Sequence, residues 1–232
     1  MKLHGNIITG KWNGNKYKVI GLLGKGGTGR VYKVLDMKSD SYYALKVSED
    51  IQSITKESNM LNKFKHIGAI PKYIELDDYK EGGKTYYFIV IEYIKGENLR
   101  EYIAKNDLSV RELVAVVIII GEMISKLHEK GFVFSDLKLE NVMMDRENGK
   151  IRVIDLGGIV PIGASIKEFT PLYDRAKWNM GSRRADTKYD LFAISMMLVN
   201  LIFENESTLS NMSIQDIMYE LKRKKIDKGL IE

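Results

Sequence analysis

Asp136, Lys138 and Asn141 stand in the stretch "GFVFSDLKLEN", Gly131 to Asn141, at the spacing of a loop that transfers phosphoryl groups. In such a loop Asp136 orients an attacking hydroxyl and accepts its proton. Lys138 steadies the group in transfer, and Asn141 offers an oxygen to a magnesium ion. A hairpin's length further on, "VIDLGG" supplies Asp155 as a second ligand. Magnesium takes one or two carboxylates with phosphate oxygens and keeps several waters, so one Asp and one Asn suffice. Upstream, "GKGGTGRV" holds Gly24, Gly26 and Gly29 ahead of Val31. The next residues, "RVYKVLD", are strand-like rather than helical, so the motif reads as a glycine flap whose backbone N–H groups can approach phosphates. "YALKV" sets Lys46 among apolar residues, where it can neutralise phosphate charge, and "TKESNMLNKF" offers Glu57 to hold it. Taken singly, each motif has a bland reading: a glycine hairpin, a surface lysine, a solvated helix acid, a polar loop. Their order along one chain is specific. Phe134 and Ser135, however, precede Asp136 where such loops usually carry His and Arg, so the loop is either working or a relic.

The elements that must position these residues are legible from periodicity. "YKVIGLLG", "RVYKVLD" and "YYALKVS" alternate and are rich in β-branched and aromatic residues, which predicts three consecutive antiparallel strands. A helix is expected from about Ile51 to Phe64. "KYIELDDY" and "TYYFIVIEY", joined by "KEGGK", predict a hairpin. After "IEYIKGENL" the pattern turns helical. Ser109 with Glu112 forms a capping box that opens a helix from Val110 to Lys130. "VMMDRENGKIRVID" predicts a short hairpin, Asp186 to Phe203 a buried helix, and Ser213 with Asp216 the cap of a last one. This predicts an α+β chain forming a single domain of two lobes. The first, about 1–93, is an antiparallel sheet with one helix; the second, about 94–232, is mainly helical.

The totals agree with an ordinary globular protein. The 232 residues are 44% hydrophobic and 29% charged, with net charge +5. There is no cysteine, which excludes disulfides, thiolate zinc sites and a Cys nucleophile and fits a reducing, cytoplasmic setting. The opening "MKLHGNIITGKWNG" has no apolar core of signal-peptide length. "LVAVVIII" and "LFAISMMLVNLIF" are shorter than the roughly 20 residues a membrane-spanning helix needs, so buried helices are expected and no membrane span. Basic clusters at Arg183–Arg184 and Lys222–Lys225 raise nucleic-acid binding as an alternative. They lack interleaved aromatics, and solvated helix ends explain them as well.

From Tyr17 to Phe203 the chain resembles a protein kinase of the eukaryotic-like Ser/Thr class found in bacteria. The resemblance rests on the flap, "YALK", Glu57, the segment "IEYIKGENL", "LHEKG", "SDLKLEN", "DLG" and "YDLFAIS". It implies a two-lobed kinase fold with a shortened helical lobe, ATP and Mg²⁺ as cofactors, and Ser/Thr-bearing proteins as substrates, the chain's own residues included. It further implies that Val31 and Ala44 sandwich adenine. Backbone groups near Glu92 and Ile94 would hydrogen-bond it, Ile91 would be the gatekeeper, and Asp190 would brace the catalytic loop. Thr170, Pro171 and Tyr173 match the family's activation segment.

The departures are as informative. Phe134 stands for a His and Leu156 for the aromatic it packs against. Ser135 stands for an Arg that grips an activation-segment phosphate in many relatives, and Leu139 for a Pro. Arg175, Ala176 and Lys177 replace A-P-E. None of these positions reacts, while Lys46, Glu57, Asp136, Lys138, Asn141 and Asp155 are all present. A kinase that needs no activation-segment phosphate is therefore expected, with a nucleotide-binding pseudokinase as the alternative. Because both long helices are apolar on nearly every face, the helical lobe is also expected to expose a surface for self-association or a docking partner.

Overall fold

The computed structural model describes residues 5–203 and 206–224. In chain order the first elements are β1 (Ile7–Thr9), β2 (Lys16–Gly26), β3 (Gly29–Asp36), β4 (Ser41–Ser48), α1 (Ile51–Lys63), β5 (Tyr73–Glu81), β6 (Lys84–Glu92) and β7 (Gly96–Asn98). After these come α2 (Leu99–Ile103), α3 (Val110–His128), β8 (Phe132–Val133), β9 (Val142–Asp145), β10 (Ile151–Val153), β11 (Val160–Pro161), α4 (Thr187–Phe203), α5 (Glu206–Ser210) and α6 (Ile214–Arg223). The chain forms two compact units. One comprises the described residues up to Glu97 together with Val142–Gly157. The other comprises Asn98–Asn141 and the described residues from Gly158 onward. A single cut near residue 93 does not describe this division, because the β9–β10 hairpin returns to the first unit.

The first unit is built on a six-stranded antiparallel sheet in the order β1-β2-β3-β4-β6-β5. Alternation sends Tyr32, Val34, Leu45, Val47, Phe88 and Val90 into one core. α1 lies on the sheet through Ile54, Glu57, Ser58 and Leu61, the spacing of one helix face. Asp50 caps it by accepting from Gln52 N. β1 is an element that periodicity does not predict. The turn after it crosses to the opposite edge of the sheet, where Lys11 N donates to Asp78 O at 2.8 Å and Asn13 N donates to Asp77 Oδ2 at 2.8 Å. Tyr17 Oη and Asn15 Nδ2 reach Glu75 at 2.8 and 2.6 Å. These bonds satisfy the buried carboxylates Glu75 and Asp77 of the edge strand β5 and tie the segment after β1 to that edge.

The second unit is mainly helical. α3 begins at the predicted capping box of Ser109 and Glu112 and buries Leu113, Val116, Ile120, Ile124 and Leu127 among others. Each large apolar side chain so buried is worth about 1.5–3 kcal/mol relative to water. α4 buries residues on several faces, including Asp190 and Asn200. α2 is tied down by Arg100, which pairs with Glu140 at 2.5 Å and with Glu206. α6 carries its own capping box, Ser213 with Asp216. Part of α3 is uncovered: Ile118 and Ile119 are 56% and 48% exposed. Of the basic cluster Lys222–Lys225, Lys225 lies outside the described residues, as do the first four residues of the chain. No helix among the described residues is long and apolar enough to cross a membrane.

Candidate active site

The sequence-predicted residues divide between the units. Gly24, Gly26, Gly29, Val31, Ala44, Lys46, Glu57, Ile91, Glu92, Ile94 and Asp155 belong to the first; Asp136, Lys138 and Asn141 belong to the second.

In the first unit the flap is the tip of the β2–β3 hairpin, where Gly26 pairs with Gly29. Gly29 has φ +150°, and a Cβ there would lie 2.3 Å from Val47 O, so no larger residue fits. Across the sheet Val31 faces Lys46, Lys46 faces Ile89 and Ala44 faces Ile91. Paired residues share a face, so Val31, Ala44, Lys46 and Ile91 line one side, opposite the side that carries the core. Lys46 is 4% exposed. Its Nζ donates to Glu57 Oε2 at 2.6 Å and to Asp155 Oδ1 at 2.9 Å. Burial alone would lower the Lys46 pKa, but the two carboxylates outweigh it and the ammonium is held above its usual range. Burial pushes the Glu57 carboxyl up to about 7, with Lys46 opposing and Asp155 adding to the rise.

Asp155 turns the chain at φ +60°, a conformation costing on the order of 1–3 kcal/mol for a non-glycine residue. Its carboxylate accepts from Lys46 and, at 3.4 Å, from Gly157 N. Once Glu57 is ionised, two carboxylates against one ammonium leave this group anionic, which suits a hard divalent cation.

Glu92 is positioned by a residue that periodicity misses. Arg152 is buried, and its Nη2 and Nη1 reach Glu92 Oε2 and Oε1 at 2.7 and 3.3 Å. Glu92 N donates to Lys72 O at 2.9 Å, and Lys72 N donates back to the Glu92 carboxylate at 3.0 Å. Burial would raise the Glu92 pKa; the bonds from Arg152 and Lys72 N outweigh it and hold the carboxyl low. A ligand at Glu92 would therefore meet its carbonyl, because its N–H already has a partner. The signal for Arg152 is a lone cation between Ile151 and Val153 in a strand. Ile94 is buried.

In the second unit Asp136 lies just beyond β8. Asp190 of α4 is fully buried, and its carboxylate accepts from Phe134 N at 2.8 Å and Ser135 N at 3.0 Å. His128 Nε2 lies 2.9 Å from the same carboxyl group, within hydrogen-bonding distance. Asp190 thus sits where it can brace the loop of Asp136. Ser135, in the position of an Arg, is buried at φ +66° and donates from Oγ to Gly158 O at 2.6 Å. Phe134 is buried too.

Asp136 Oδ2 accepts from Lys138 Nζ at 2.6 Å and from Asn141 Nδ2 at 3.1 Å. The Asn141 amide also donates to Asp136 O at 2.9 Å, which leaves its Oδ1 as a hard donor for a cation. Asp136 Oδ1 accepts from the hydroxyl of Thr170 at 2.9 Å. No spacing in the sequence announces that contact, because the two residues are separated by the whole stretch that holds β9, β10 and β11.

Comparison with known proteins agrees with this geometry. The family model described as "Protein kinase domain" matches residues 17–228. Serine/threonine-protein kinase YabT of Bacillus subtilis is 39% identical over 212 residues, which are 89% of this chain and 62% of that protein. Serine/threonine-protein kinase PrkC of the same organism is 25% identical over 229 residues, 88% of this chain and 34% of the relative. MAP3K epsilon protein kinase 1 of Arabidopsis thaliana is 32% identical over 153 residues, 62% of this chain and 11% of the relative. The chain thus spans less than two thirds of the length of each of these three. With a family model covering most of its length, and with the residues of the motifs held in two bonded groups, the chain belongs to the protein kinase domain family.

Proposed function

We propose that the chain transfers the γ-phosphoryl group of ATP to Ser or Thr hydroxyls of proteins. The observation that carries this reading is the hydroxyl of Thr170 on Asp136 Oδ1, with Oδ2 held by Lys138 and Asn141. An aliphatic hydroxyl already sits where an acceptor hydroxyl would be oriented. Asp136 would take the proton of the acceptor as its oxygen bonds to phosphorus and the bond to the leaving oxygen breaks. Lys138 neutralises charge on the group in transfer. The flap of Gly24, Gly26 and Gly29 offers backbone N–H groups, and Lys46, aimed by Glu57, pairs with phosphate oxygens. Val31 and Ala44 form the apolar walls for adenine, Ile91 limits the depth of the site, and the backbone at Glu92 and Ile94 fixes the base. By this reading Asn141 and Asp155 would each offer an oxygen to Mg²⁺, which would supply charge screening for the phosphates. The names of the bacterial relatives, both serine/threonine-protein kinases, support the acceptor class.

The test is transfer of labelled phosphate from ATP to a generic basic protein, with Asp136→Asn as control. Transfer that the substitution abolishes supports the reading. Nucleotide binding without transfer would favour the pseudokinase. We further propose self-association through the helical unit, with the exposed Ile118 and Ile119 of α3 as the candidate contact residues. Light scattering at micromolar concentration tests it, and a strict monomer rejects it.

A further inference from the structure

The positions that depart from A-P-E contain a built socket. Arg175 is 5% exposed. Its Nη1 and Nη2 fork onto Asp186 Oδ1 and Oδ2 at 2.8 and 2.7 Å. Nε donates to Ser182 O at 2.9 Å, and Nη2 also reaches Arg184 O at 3.2 Å. The Tyr189 ring lies 5.5 Å from the guanidinium carbon. Gly181 lies flat against this group at φ +137°; a Cβ there would come within 3.0 Å of Nε and 3.2 Å of Cζ. Beside it Asp174, fully buried, accepts from Ala176 N at 2.8 Å and from Arg183 Nε at 2.5 Å. Two ion pairs, both local to residues 174–186, therefore fix the segment that begins at Thr170. Immediately before them a short turn, Pro171–Tyr173, is pinned where Asn200 Nδ2 donates to Tyr173 Oη at 2.9 Å.

We propose that Arg175, seated on Asp186 and backed by the Asp174–Arg183 pair, is a positioning residue that holds segment 170–186 in its acceptor-binding shape without any phosphate. The inference rests on the kinase reading above and names the control of that same site. Forked, charge-assisted bonds are the strong class of hydrogen bond, and a guanidinium with its donors directed at fixed acceptors is costly to displace. The guanidinium end of the fork is buried while the Asp186 side chain is 42% exposed, and the bond from Arg175 holds the Asp186 carboxyl below its ordinary range. A segment tied this way needs no forked Arg at position 135, which accounts for the tolerance of Ser135. Because Thr170 reaches Asp136 from the start of the segment, loosening the fork misplaces the surface that presents an acceptor hydroxyl. The residues of the first unit are left as they are.

The experiment compares the wild type with Arg175→Ala, Arg175→Lys and Asp186→Asn. Three quantities are measured: kcat and KM for a protein acceptor, affinity for a fluorescent ATP analogue, and amide hydrogen exchange. Misplacement of about 1 Å costs on the order of 100-fold in rate, so Arg175→Ala and Asp186→Asn should lower acceptor kcat/KM by about 10- to 100-fold. Arg175→Lys, which keeps the charge and loses the fork, should recover only part. Analogue affinity should stay within about twofold, because a loss confined to the acceptor side leaves nucleotide binding intact. Amides 172–185 should exchange faster while those of α3 stay protected. Unchanged kcat/KM in Arg175→Ala overturns the proposal. Equal loss of protection in α3 also overturns it, by making Arg175 a pillar of the whole unit. If the wild type transfers no phosphate, the kinase reading fails by itself, and hydrogen exchange still decides whether Arg175 holds the segment.

Discussion

Replacing Asp190 with Asn tests what aims the loop of Asp136. The carboxylate accepts two backbone N–H bonds, from Phe134 and Ser135, in a fully buried place. Asn keeps one acceptor oxygen and turns an NH₂ group toward the other donor. A buried hydrogen bond to a charged group contributes about 1.5–3 kcal/mol, so the loss should be about 2 kcal/mol. Against the two bonds stands the strain of Ser135 at φ +66°, on the order of 1–3 kcal/mol. With one bond gone, the remaining one roughly balances that strain, and the bend is no longer held. In rate terms about 2 kcal/mol is roughly 30-fold. In a chain of this size it should also lower the thermal midpoint by about 4–8 °C. The assay pairs thermal unfolding with kcat at saturating ATP and acceptor. A variant that melts lower and turns over as fast as the wild type would show that Asp190 stabilises the unit without aiming Asp136. One that melts at the wild-type temperature would refute the magnitudes.

Lys46→Met and Asp155→Ala should each abolish transfer while the far-ultraviolet circular dichroism stays native; near wild-type turnover in either would dismiss the assignment of the first unit's cluster. Glu57, with its carboxyl raised to about 7, keeps its proton in the folded chain at pH values where the unfolded chain has lost it. Its stabilisation is therefore present below its unfolded value and lost as pH rises through about 7. Transfer should rise over the same window as the Lys46–Glu57 ion pair forms, and a Glu57→Gln profile that keeps the inflection near 7 would assign it elsewhere. Phosphatase-treated protein should be active from the first turnover, since Ser135 offers no guanidinium to a phosphate on Ser165 or Thr170; a lag removed by pre-incubation with ATP would contradict this.

The strands and long helices were legible because their residues repeat with a period of two or near 3.6, and their ends carry caps such as Ser109 with Glu112. The charged side chains of the candidate site were legible because their order along the chain is distinctive. The features that stayed hidden depend on partners that no repeating period and no cap signal brings together. β1 is three residues long, too short for a period to show, and is defined by its pairing with β2 and by the turn after it. The fork from Arg152 to Glu92 spans 60 positions, and nothing local to either residue announces it. In the sequence Arg175 reads as the loss of a motif, because its partner Asp186 reads as the first residue of a helix until the loop between them is folded.

The return of Val142–Gly157 to the first unit bears on the order in which the protein is made. Synthesis runs from the N-terminus, so the six-stranded sheet and α1 emerge well before β9 and β10. Until residues 98–141 have also been made, Lys46 has Glu57 but not Asp155, and Glu92 lacks Arg152. The bond from Val153 N to Ala69 O is likewise unformed. The nascent sheet must therefore wait, with part of its surface bare, while a piece of the other unit is translated. A fragment ending at Glu97 would be arrested in that state, and supplying 142–157 as a separate peptide would be the way to complete it.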